Sequence, residues 1–183
     1  MIVASQKRKE NIAEYLLYMW QIEDLIRAYD LDIDKITQNI VSKFNLLADQ
    51  ERQMIEWYES LIDMMRREDV VKSGHLQLNK NVILQLAQLH DAILKDPKFT
   101  EYNAGYYKTL PFIVELRSKA GESKQGELET CFTALYGMLL LRLQGKEINK
   151  DTQAALTQIS RFIALLSHYF KLDSEEKLFE NND

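Results

Sequence analysis

The sequence predicts an all-α protein: a single-domain bundle of about seven helices, mostly antiparallel and up-and-down, with no sheet. Three observations carry this. Apolar residues recur at three- and four-residue steps along most of the 183 residues, the spacing of one helix face. Six glycines and two prolines are few for this length, so long elements joined by few turns are expected. Sustained period-two alternation between turn signals, which would mark strands, does not occur.

The elements follow in order. A first helix is expected over 5–29, capped by Ser5, with Ile12, Tyr15, Leu16, Met19, Ile22 and Ile26 on its apolar face. Asp32 is the expected N-cap of the second, with Asp34 in its first turn and Ile33, Ile36, Ile40, Phe44 and Leu47 as its stripe. A third opens near Asp49, lines its inner face with Met54, Ile55, Tyr58, Leu61, Ile62 and Met65, and stops at Lys72-Ser73-Gly74. The fourth starts near Asn79 and ends before Asp96-Pro97. The fifth is expected to run to about Thr109, break at Pro111, and resume as a short helix through Phe112, Ile113 and Leu116. Residues 120–126, with two glycines, form the clearest loop. The sixth, 127–144, is apolar on nearly every side and is therefore expected at the centre of the bundle, with Gly145 ending it. The seventh covers 151–172, and an acidic, frayed tail, 173–183, follows the 1–172 bundle.

Charge narrows the function classes. The net charge is −5, but five acids and one lysine of the tail from Asp173 account for most of it. The body is close to neutral, which argues against nucleic acid as a partner, because phosphate contacts need clustered lysine and arginine. One cysteine, Cys131, rules out an internal disulfide framework. The basic residues near the N-terminus precede no signal-like apolar segment. The longest apolar runs, such as YLLYMW at 15–20, fall far short of the ~20 residues that span a bilayer. A cytoplasmic protein without membrane association is expected.

The string SQKRKENIAEYLLYMWQIEDLIRA at 5–28, followed by LDIDKI at 31–36, resembles an uncharacterised family of small bacterial proteins, a domain of unknown function. The likeness extends over most of the chain. It implies a helical bacterial protein, and it brings no activity and no site residue with it.

Several chemistries are tested by the residues themselves. Asp30-x-Asp32-x-Asp34 opens like a calcium loop, but Lys35 stands where such a loop needs glycine and Val41 where it needs a bidentate glutamate. Helix capping explains these aspartates better. His75, His90 and His168 are too far apart in sequence for a close ligand pair, and no glutamate stands three residues before a histidine. Neither a nucleophile elbow nor a glycine-rich phosphate loop occurs. No metal and no cofactor is expected, and Cys131 reads as packing within its apolar helix.

The informative signal is charge on apolar stripes. At ~100° per residue, Glu23 falls beside Leu16, Met19 and Ile26, Arg142 beside Leu135 and Leu139, and His90 within the face of Ile83, Leu86 and Leu94. A buried charge must be paired, so Glu23 is expected to meet Arg142 or His90 inside the bundle. Tyr18, Trp20, Tyr102, Tyr106 and Tyr107 lie off the main stripes or beside the Pro111 break, and are expected to pack against further neighbours. The leading functional expectation is a non-catalytic cytoplasmic protein acting by protein–protein interaction or self-association. The alternative is a small-molecule-binding or enzymatic bundle with a polar site around Glu23, His90 and Arg142.

Overall fold

The structure, a computed structural model, describes residues 2–119, 125–175 and 178. Among them are eight α-helices and no strand. In order these are α1 (Ile2–Glu10), α2 (Ile12–Ala28), α3 (Ile33–Asn39), α4 (Ala48–Arg67), α5 (Gln77–Lys95), α6 (Thr100–Lys119), α7 (Glu127–Leu143) and α8 (Lys150–Ser174), with one 3-10 turn, Val41–Phe44, after α3. The all-α class is as the periodicity predicts.

The chain folds into two compact units: Met1–Lys9 with Glu14–Asn81, and Glu10–Ala13 with Val82–Asp183. In unit one, α3, the 3-10 turn and α4 pack together, around Ile36, Val41, Tyr58, Leu61 and Met65, all almost wholly buried. In unit two the most extensive pairing is α6 with α8, and α7 packs on both. Its core includes Tyr102, Ile113, Phe132, Ile159 and Phe162.

Capping sets several boundaries. The Asp32 carboxylate accepts from the Asp34 and Lys35 amides at 3.0 and 3.1 Å, so it caps α3 as expected. Asp30 pairs with Lys35 at 2.9 Å. Asn149 caps α8 by accepting from Thr152 at 2.8 Å. Gly145, at φ +67°, closes α7, its amide and that of Lys146 bonding back to Arg142 and Leu141.

The expected first helix is two, parted at Asn11, whose side-chain oxygen accepts from the Ala13 amide at 3.0 Å and starts α2. Ser5 therefore lies inside α1. The second expected helix is shorter than its stripe: α3 stops at Asn39, and Phe44 and Leu47 are exposed. The third ends at Arg67, earlier than Gly74, with Asp69 at φ +54° supplying the left-handed residue.

Pro111 does not break α6. Proline removes one intrahelical hydrogen bond, and that loss falls where the chain is open: Tyr107, whose carbonyl it leaves unmatched, and Pro111 are both exposed. The buried face Tyr102, Tyr106, Thr109 and Ile113 runs through the proline at four-, three- and four-residue steps, so packing holds the helix together. Of the expected 120–126 loop, residues 120–124 lie outside the described residues, and Gly126 is the N-cap of α7. Most of the acidic tail also lies outside them, although α8 continues to Ser174 and Leu178 is buried.

The helix expected at the centre departs most from its composition. The first half of α7 is buried through Leu128, Cys131, Phe132, Leu135 and Tyr136. From Gly137 onward no residue of α7 is buried: Met138, Leu139 and Leu140 are half-buried, and Leu141 and Leu143 are exposed.

Candidate functional site

Glu23 lies on α2 and is 0% exposed. Its carboxylate meets the start of α5. Oε1 accepts from the Leu76 amide at 2.9 Å and from the Asn79 side-chain amide at 2.6 Å. Oε2 lies 2.6 Å from His75 Nδ1. The Leu76 carbonyl accepts the first amide bonds of α5, from Asn79 at 2.9 Å and from Lys80 at 3.1 Å, so the Glu23 carboxyl group stands at the helix start, where first-turn amides need acceptors and the dipole end is positive. The exposed Glu68 carboxylate accepts from the next amide, Gln77, at 2.6 Å. The acceptor role of the carboxylate fixes the orientation of the Asn79 amide. Asn79 Oδ1 is buried with no hydrogen-bond partner among the described residues.

The loop before α5 is held around this carboxylate. The His75 ring stacks on Trp20, with centroids 3.9 Å apart and planes 9° from parallel. Arg27, one turn beyond Glu23, pairs with Asp24 at 2.8 Å and donates to the carbonyls of Val70 and Gly74. Gly74 takes φ +86°, a conformation that glycine adopts without strain.

The expected pairing of Glu23 with His90 or Arg142 is therefore replaced by another. The basic partner is His75, and two neutral donors complete the set. The apolar stripe of α2 marks the carboxylate as buried, but its partner does not stand on the stripe of another helix. The signal in the sequence is a histidine in the short loop preceding α5, within reach of a helix start that needs an acceptor. Trp20, off the main stripe, packs on that histidine.

His90, in unit two, is 5% exposed. Its Nδ1 lies 2.6 Å from the Tyr102 hydroxyl, and its ring meets those of Tyr106 and Phe162 edge-on at 4.8 and 5.8 Å. Burial lowers its pKa, against the opposing charges of Asp91 and Glu127, so the neutral imidazole is favoured. Burial also raises the Tyr102 pKa, which keeps that phenol protonated. Tyr106 donates to Glu127 at 2.8 Å. His90, Tyr106 and Glu127 line a groove of about 390 Å³ formed by α5, α6 and the start of α7. Arg142 is exposed near the end of α7 and is not among the residues lining that groove.

Cys131 is buried, and burial pushes its thiol up to about 12, where the nucleophilic thiolate is scarce at neutral pH. Among the described residues no group of three or more His, Cys, Asp or Glu could hold a metal ion. No described helix is long and apolar enough to cross a membrane.

A family model, the domain of unknown function DUF4924, matches residues 1–177. The chain belongs to this family. Membership in DUF4924 agrees with the resemblance carried by the N-terminal string and assigns no activity. No curated protein and no solved structure matches the chain.

Proposed function

We propose that this member of DUF4924 is a non-catalytic, cytoplasmic bacterial protein that acts by binding a protein partner or a second copy of itself. The observation that carries this reading is the second half of α7, where an uninterrupted apolar run, Met138–Leu141, and then Leu143 have no buried member. Contiguous apolar surface of this kind is costly in water and typical of contact regions. The near-neutral body supports protein over nucleic acid as the partner, and a lone buried cysteine fits a reducing compartment.

The test is light scattering over a concentration series, for the wild type and for L141E/L143E, which places two charges on exposed positions. The wild type is expected to exceed the monomer mass as concentration rises, and the variant to stay monomeric. A strict wild-type monomer that also retains nothing from native lysate would overturn the reading.

One observation favours the alternative, a small-molecule-binding or enzymatic bundle drawing on Glu23, His90 and Arg142. His90 is a buried polar side chain in a groove wall, where ligand-orienting groups usually sit. Of the three residues, His90 carries this second reading.

A further inference from the structure

We draw no further inference here: the strongest candidate, the exposed stripe of Ala104, Tyr107, Pro111 and Val114 on the outer face of α6, is an unpartnered apolar helix face, and nothing in the structure shows what covers it.

Discussion

Glu23 in unit one and His90 in unit two are both polar side chains set into helix faces of leucine, isoleucine and methionine, and both are buried. Their neighbours treat them differently. Around Glu23 a backbone amide, a side-chain amide and an imidazole converge on two oxygens, and the carboxylate becomes part of how a helix begins. Around His90 one hydroxyl is engaged, and the ring lines an open groove beside three carboxylates. A buried polar group whose bonding capacity its own fold consumes is architecture. One that lines a concavity with a single partner is a candidate for recognition. Burial alone does not separate the two cases; the inventory of partners does.

The largest test of that contrast is Glu23→Ala. It strands the buried Leu76 amide and Asn79 and takes the carboxylate from the half-buried His75, at a cost of about 3–5 kcal/mol. Urea unfolding should record this loss, and a change below about 1 kcal/mol would mean that the Glu23 cluster is not structural.

A smaller effect is expected at His90. Burial lowers its pKa below the ordinary 6.5, so the unfolded chain takes up this proton more readily than the folded one. The corresponding stability is complete above that value and is lost as pH falls through the lower folded value. Stability curves between pH 7.5 and 5 should slope downward with acid, and His90→Gln should flatten the slope. An unchanged slope would assign the acid sensitivity to another group. Arg142→Ala should do least, within about 0.5 kcal/mol, since its side chain is exposed. A larger loss on the same urea scale would return Arg142 to the buried charges.

How much of this the sequence carried depends on what each feature answers to. The faces of α4 and α5 were legible because one side is buried along its length, so period alone reports it: Met54, Tyr58, Leu61 and Met65, then Val82, Leu86, Leu89 and Ile93, are buried as spaced. Pro111 was misleading because local propensity argued for a break while the Tyr102-to-Ile113 face argued for continuity, and packing outweighed one missing amide. The composition of α7 was misleading for the opposite reason. An all-round apolar helix can be enclosed or can end on a surface that awaits a partner, and both give the same pattern. At Glu23 the stripe revealed burial but not the partner. A loop histidine follows no helical period, and the Glu23–His75 contact spans 52 positions.

The placement of Cys131 and of the two tryptophans has a consequence for watching this protein move. Trp20 and Trp57 both fall in unit one and the single cysteine in unit two. A buried thiol raised to about 12 reacts with a probe only when its surroundings open. Its labelling rate therefore counts excursions of unit two, while indole fluorescence follows unit one. The wild-type chain thus carries two native clocks, one in each half, and whether they keep the same time measures how far its halves melt as one.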